Sequence, residues 1–460
     1  MTVTRRHFLT GLMATGVAAA AGPIAAAPAT IHARPGAADL GHPSGAPTPI
    51  WGYAGTAPGP TLRLKQGVRL TRRFVNGLPQ PSTIHWHGIR IANAMDGVPK
   101  LTQPLVEPGG DFLYDFVVPD AGTYWYHPHN RTWEQLARGL YGALIVEETS
   151  PPKVDRDDVL LIDDWRLSKD GTLHEKSFAS LHEWAHGGRL GNWVTVNGKG
   201  EYLTRAKSCE RLRLRLVNVA NARIFTLSMK GMDGWIVALD GQPLATPERI
   251  AGPIVLAPAQ RTDVIVDVTA DAGKEAFLLA DAGGEPVVIG ALTVAGEARA
   301  ARLDAPAALP ANPVIAPASL DGARRVPLIM EGGAMGGLRS AQLNGENLGM
   351  RELAGAGYVW AFNGVANLPD EPLVAANLGE VIVIPIVNRT AWPHAMHLHG
   401  HHFVEARDGA PMGPLRDTLL VAPETETAIA FVADNTGKWL FHCHMVEHAA
   451  SGMSTWITVN

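Results

Sequence analysis

Ten of the 18 histidines fall in four short clusters: His85 and His87 in HWHG, His127 and His129 in HPH, His394, His397 and His399 in HAMHLHG, and His442, His444 and His448 in HCHMVEHAASGM. Four of the pairings are HxH. On a strand, side chains alternate with period two, so both rings of an HxH pair face the same way. Eight imidazoles exceed what a single tetrahedral site needs. They suit several imidazole-loving ions held together, and copper heads the divalent affinity order. One HxH pair is commonly a satisfied core pair; four in two matched regions are hard to assign to packing.

The last cluster also carries Cys443, one of only two cysteines, and Met453. The same alternation sends Cys443 to one face and His442 and His444 to the other. Cys443 with His448, the more distant His394 and Met453 makes a His₂Cys set with a thioether, the ligand set of a copper electron-transfer centre with a weak axial Met. One tripeptide then touches two sites on opposite faces.

The elements that must position these residues repeat along the chain. LRLKQGVRLTRRFVN (Leu62–Asn76), TRAKSCERLRLRLVN (Thr204–Asn218) and VAANLGEVIVIPIVN (Val374–Asn388) all end in Val-Asn, and nine residues before the Asn stand Gly67, Cys209 and Gly379. Each continues as an alternating or continuously apolar run, which reads as a strand. Nine residues after the Asn come HWHG in the first copy, HLHG in the third and LSMK in the second. GTYWYHPH (Gly122–His129) and GKWLFHCH (Gly437–His444) match likewise, against GKEAFLLA (Gly273–Ala280) without His. The spacing predicts an all-β chain of three consecutive β-sandwich domains at 45–150, 151–303 and 315–460, the middle one without ligands and read as a spacer. Boundaries are expected near TSPPK (Thr149–Lys153) and in the Ala/Pro-rich run Ala301–Ala318.

Composition agrees with a β-rich, turn-rich globular protein of several domains: 460 residues, 49 Gly, 34 Pro and 18% charged. Residues 1–29 read as a twin-arginine signal peptide, with Arg5-Arg6, a short apolar run and Ala27-Pro28-Ala29 as a cleavage site. Removing Arg5 and Arg6 takes the net charge from −5 to −7, and a mildly acidic chain without a basic stripe gives no reason to expect nucleic acid. Export to the periplasm or beyond by the twin-arginine machinery is expected, with no membrane anchor in the mature protein, which is expected to be a monomer.

Together the four signatures and the three-copy layout resemble the multicopper oxidases, the laccase-like family, over nearly the whole mature chain. The resemblance implies Greek-key cupredoxin sandwiches and four copper ions. His394, Cys443 and His448 would hold the type 1 copper with Met453 axial; His85 and His397 the type 2 copper; His87, His127, His129, His399, His442 and His444 the type 3 pair. It further implies one-electron oxidation of a reducing substrate at the exposed edge of His448, transfer through Cys443, and reduction of O₂ to water at the cluster. Asp96 matches a family acidic position and is expected to relay protons or support the ligands; an Asp-Gly turn explains it otherwise. Many bacterial relatives carry an acidic residue where this chain has Ala449; Glu447 precedes His448 instead.

Phenols or aromatic amines are the expected substrates, with Cu(I) as the alternative. Cuprous oxidases of the family carry Met-rich inserts, whereas Met330, Met335 and Met350 are thinly spread here. A copper-free structural or cell-division factor of this architecture would lack the ligands. His401 and His402 are expected behind the site, His182 and His186 on a short helix or loop near the type 1 mouth with His174 nearby, and Cys209 as a free buried thiol.

Overall fold

The computed structural model describes residues 29–281 and 285–460. They form three β-sandwiches in series. In the first, the sheet Thr48–Tyr53, Ala29–Ala38, Arg69–Asn76, Asp111–Val117 packs on the sheet Leu62–Lys65, Gly142–Glu147, Gly122–His127, His85–His87. Phe74 and Tyr114 from one sheet meet Trp86, Tyr126 and Leu144 from the other in one core. In the second, Arg211–Asn218 and Arg261–Val268 are central to a six-stranded sheet over a five-stranded one that holds Phe225–Lys230 and Glu275–Asp281. In the third, Val381–Asn388 and Glu426–Val432 lie opposite the order Val374–Ala376, Ser454–Val459, Gly437–Cys443, His394–Leu398, Thr418–Val421. The first sheet takes in Ala29–Ala38, ahead of the residue-45 start expected from the repeats. This strand pairs parallel with Arg69–Asn76 and has no counterpart in the repeat pattern that located the others. The twin-arginine reading falls on residues outside the described part, except for Ala29, which opens this strand. Among the described residues no helix is long and apolar enough to cross a membrane.

The Val-Asn repeat has a physical basis. Asn76, Asn218 and Asn388 are all buried and bond in one pattern. Each side-chain amide donates to the carbonyl four or five residues on (Gln80, Arg223, Trp392) and to a distant one (Val106, Leu256, Ala422). Each Oδ1 accepts from the backbone N–H two residues on. A buried amide satisfied this fully pins the turn between the two sheets, and losing it leaves buried carbonyls unpaired. The position nine residues earlier is left-handed in every copy: φ is +80° at Gly67, +59° at Cys209 and +84° at Gly379. Cys209 therefore adopts a backbone conformation that costs a side-chain-bearing residue about 1–2 kcal/mol. Its thiol is free and partly exposed, not buried as expected, because the turn lies at the rim of the sheet.

The middle sandwich is more than a spacer. In Arg211–Asn218 the alternation LRLRL buries Leu212, Leu214 and Leu216 in the core, yet Arg211, Arg213 and Arg215 are buried too. Arg213 is held by Glu148 and Asp263, each at 2.7 Å. Arg215 bonds Asp157 at 2.7 Å and Thr123 at 2.9 Å. The polar face of this strand thus packs on the first sandwich. An apolar cluster beside it joins Trp125, Ile145, Leu161, Trp165, Val219 and Val446.

Candidate metal centre

Strand register places the donors. Met396 pairs with Cys443, and His397 with His442. Paired residues share a face, so His394, Met396 and Cys443 point one way and His397 and His442 the other. The short helix Val446–Ala450 folds His448 back onto the cysteine side. Cys443 Sγ lies 3.5 Å from His394 Nδ1 and 3.8 Å from His448 Nδ1, and the two ring nitrogens are 3.1 Å apart. Met453 is buried, and its carbonyl accepts the Cys443 N–H at 3.1 Å. The distal nitrogens are engaged: His394 Nε2 with Thr390 Oγ1 at 2.8 Å, and His448 Nε2 donating to the His186 carbonyl at 2.6 Å. Such bonds leave Nδ1 facing the thiol.

On the opposite face, eight imidazoles converge across the boundary between the first and third sandwiches. His85 pairs with His127 in register, and His129 follows. The ring centroids of His85 and His399 are 3.9 Å apart, and those of His87 and His397 are 3.8 Å apart. His399 Nε2 is 3.2 Å from His442 Nε2, and His444 Nε2 is 3.4 Å from His127 Nε2. Triads with donor atoms within 4.8 Å of one another include His129/His399/His442, His85/His397/His399, His85/His87/His127 and His394/Cys443/His448.

The donors suit a metal. Nδ1 of His85, His127, His397 and His442 each donates to a backbone carbonyl at 2.8–2.9 Å. The inward Nε2 of His85, His129 and His397, and Nδ1 of His87, are buried without a hydrogen-bond partner. Orphaned buried ring nitrogens at a shared centre are what a cation satisfies. Burial, reinforced by neighbouring imidazoles, holds His87, His127, His129, His394, His399, His442 and His444 well below the usual histidine range. Burial brings His448 down to about 4 and pushes the Cys443 thiol up to about 12. These rings are thus neutral, ready to ligate, while the thiol would release its proton to water when a metal binds.

Asp96 is buried, with its carboxylate accepting from His399 Nδ1 at 3.0 Å and lying 3.2 Å from His85 Nδ1. It bridges a histidine from each sandwich. Asp417, which carries no signal in the sequence, does the same on the other side. It lies 3.3 Å from His87 Nε2 and 3.4 Å from His397 Nδ1. Arg261 of the middle sandwich binds it through both oxygens at 2.8 and 2.6 Å. Burial would raise the Asp417 carboxyl, but Arg261 and the two imidazoles hold it well below the carboxylate range. This pair explains the glycine of HWHG. Gly88 has φ +86°, and a Cβ there would stand 2.1 Å from the Arg261 guanidinium.

Other residues separate cleanly. His401 Nδ1 donates to the His399 carbonyl at 3.3 Å, and His402 lies 3.8 Å from Asp417, so both stand behind the cluster. His182 and His186 sit at the short helix Leu181–Ala185 with rings 4.1 Å apart. Neither they nor His174 join any metal-capable group of three or more among the described residues. The Glu447 carboxyl turns to Asn221, whose Nδ2 donates to Oε1 at 2.7 Å, and burial raises it to about 7. Ala449 instead lines a cavity of about 560 Å³ with His129, His442, Arg131 and Lys438, so Glu447 does not stand in for an acid there. The exposed edge expected of His448 is absent: the ring is 0% exposed, because residues 181–188 of the middle sandwich cover it.

Three models of the multicopper oxidase family match residues 39–151, 156–293 and 345–460. Multicopper oxidase MmcO of Mycobacterium tuberculosis is 31% identical over 93% of this chain and 86% of its own. Laccase-1 of Botryotinia fuckeliana is 29% identical over 89% and 78%. The crystal structure of a multi-copper oxidase from Pseudomonas thermotolerans superposes with a TM-score of 0.80 at 32% identity, covering 94% of this chain and 98% of that one.

Proposed function

Because this chain belongs to the multicopper oxidase family, oxidoreductases that use O₂ as acceptor, we propose that it is a laccase-like oxidase of phenols or aromatic amines. The observation that carries this is the shared HCH tripeptide, whose thiol faces one donor set and whose imidazoles face the other. His394, Cys443 and His448, with Met453, would hold one type 1 ion. His85 and His397 would hold a type 2 ion, and His87, His127, His129, His399, His442 and His444 a type 3 pair. Copper bound there supplies one-electron redox chemistry, taking electrons singly from a donor and passing four to O₂.

The chain's own residues do the rest. Carbonyls behind His85, His127, His397, His442 and His448, and the Asp96 carboxylate behind His399, fix those tautomers and aim the other nitrogen inward. Asp96, touching His85 and His399, orients two ligands and is placed to pass a proton to the cluster side. Burial keeps competing water from the thiol. Met330 is buried in the core, Met350 packs half-buried against it, and of these three only Met335 is fully exposed; so thin a thioether surface favours aromatic donors over Cu(I). Export by the twin-arginine route would deliver the protein, already folded, to the periplasm.

The test is copper content together with O₂ uptake on a simple phenol and on Cu(I). About four coppers per chain and phenol-dependent uptake are expected. One copper or none sinks the four-copper reading, and uptake with Cu(I) alone replaces the substrate.

A further inference from the structure

Residues 181–188 are strapped onto the third sandwich by three successive carbonyls. That of Trp184 accepts Trp360 Nε1 at 2.7 Å, that of Ala185 accepts the Ala334 N–H at 2.6 Å, and that of His186 accepts His448 Nε2 at 2.6 Å. The strap is braced from within by the Arg166–Glu183 ion pair and by the Gly188 N–H on the Glu183 carbonyl at 3.1 Å. Gly188 itself has φ +78°, and a Cβ there would stand 2.4 Å from Ala222. The one polar atom that His448 turns outward is therefore already bonded to the chain, and no substrate can hydrogen-bond it. Trp360, 4.5 Å from His448 by ring centroid, closes the remaining side and is 0% exposed.

The outer surface of the strap is aromatic. His182 is exposed, His186 half-buried. Their rings are 4.1 Å apart, and Trp392 lies 5.4 Å from His186 at 65°. Trp392 is fixed by its own Nε1 bond to the Ala334 carbonyl at 3.0 Å. Flat rings at such spacings receive a further aromatic ring by stacking or edge contact. From His186 the route inward is its own backbone and a single hydrogen bond to His448.

We propose that His186 is the specificity-determining residue for electron uptake: a small aromatic donor, a phenol or aromatic amine, docks on the His182–His186–Trp392 face and does not touch His448. This rests on the oxidase reading above. Each phenol gives up one electron, which crosses the His186 carbonyl–His448 bond, and one proton, which goes to water. O₂, the family's acceptor, takes four electrons and four protons and leaves as two waters. Donors are then selected by reduction potential and by ring contact at the strap.

The experiment is anaerobic rapid mixing of the copper-loaded protein with a phenol, following loss of the blue absorption band, with hexacyanoferrate(II) as a non-aromatic donor. His186→Ala removes the ring and keeps the carbonyl. It should raise the half-saturating phenol concentration about tenfold, leaving the band position and the hexacyanoferrate(II) rate unchanged. His182→Ala, on an exposed side chain, should raise it about threefold. Phenol bleaching of both variants at or above the wild-type rate overturns the proposal, as does equal slowing with both donors. A wild-type protein without a blue band defeats the oxidase reading itself, and a band bleached by Cu(I) but not by phenol defeats the aromatic donor.

Discussion

The cysteine site and the eight-histidine cluster share one tripeptide but are built differently. His394, Cys443, His448 and Met453 all come from the third sandwich, from two paired strands and the turn beyond them. The cluster takes four rings from the first sandwich and four from the third, and exists only where the two meet. The middle sandwich serves both without giving a ligand: through residues 181–188 it seals the first site, and through Arg261, which binds Asp417 of the third sandwich, it braces the second. A local site tolerates damage at domain boundaries; a site made by assembly does not.

The largest expected effect erases the difference. Cys443→Ser removes the atom that joins the two sites, and should abolish the blue colour and the oxidase activity together, checked by absorption and O₂ uptake. Asp417→Asn should separate them. Losing this carboxylate behind His87 and His397 should weaken metal binding at the cluster about 10–100-fold while the blue band stays, as read by copper titration. If the band is lost with it, the two sites are not independently assembled.

Acid should sharpen the contrast in the copper-free protein. His448 has a folded pKa of about 4 against an ordinary value of 6.5, from burial. Between these values the unfolded chain binds a proton that the folded chain does not. Stability is full above pH 6.5 and falls with falling pH by about 1.4 kcal/mol per unit for each such ring. The cluster holds more depressed imidazoles than the cysteine site, so it should dominate the slope. Melting temperatures from pH 7 to 5 test this, and the copper-loaded protein should hold its value further down because metal competes with protons. The smallest effect belongs to Thr390→Val. Removing the hydroxyl from His394 Nε2 should cost about 1 kcal/mol and shift the potential of the cysteine site alone, with copper content unchanged.

Much of this was legible in the chain. HxH spacing with strand alternation is enough to set imidazoles on one face and Cys443 on the other, because the period of a strand is a local property. The Val-Asn repeats located three sandwiches, since a buried Asn closing a turn is needed each time the unit is built. The strand Ala29–Ala38 escaped because its counterparts, Arg156–Trp165 and Leu328–Gly332, which pair parallel with the Val-Asn strands in the same way, share no sequence signature with it. Asp417 escaped because an Asp at a bend between two strands looks like any other; its importance comes from Arg261, 156 residues away in the chain. The seal over His448 escaped because it is made by backbone carbonyls, which every residue carries.

By itself, then, the sequence determined which side chains could bind metal, on which strand faces they stand and how many sandwiches carry them, all consequences of short-range periodicity. Which rings meet, what holds their outer nitrogens and whether His448 reaches solvent were decided only by how three sandwiches pack, because those contacts join segments that no local rule connects.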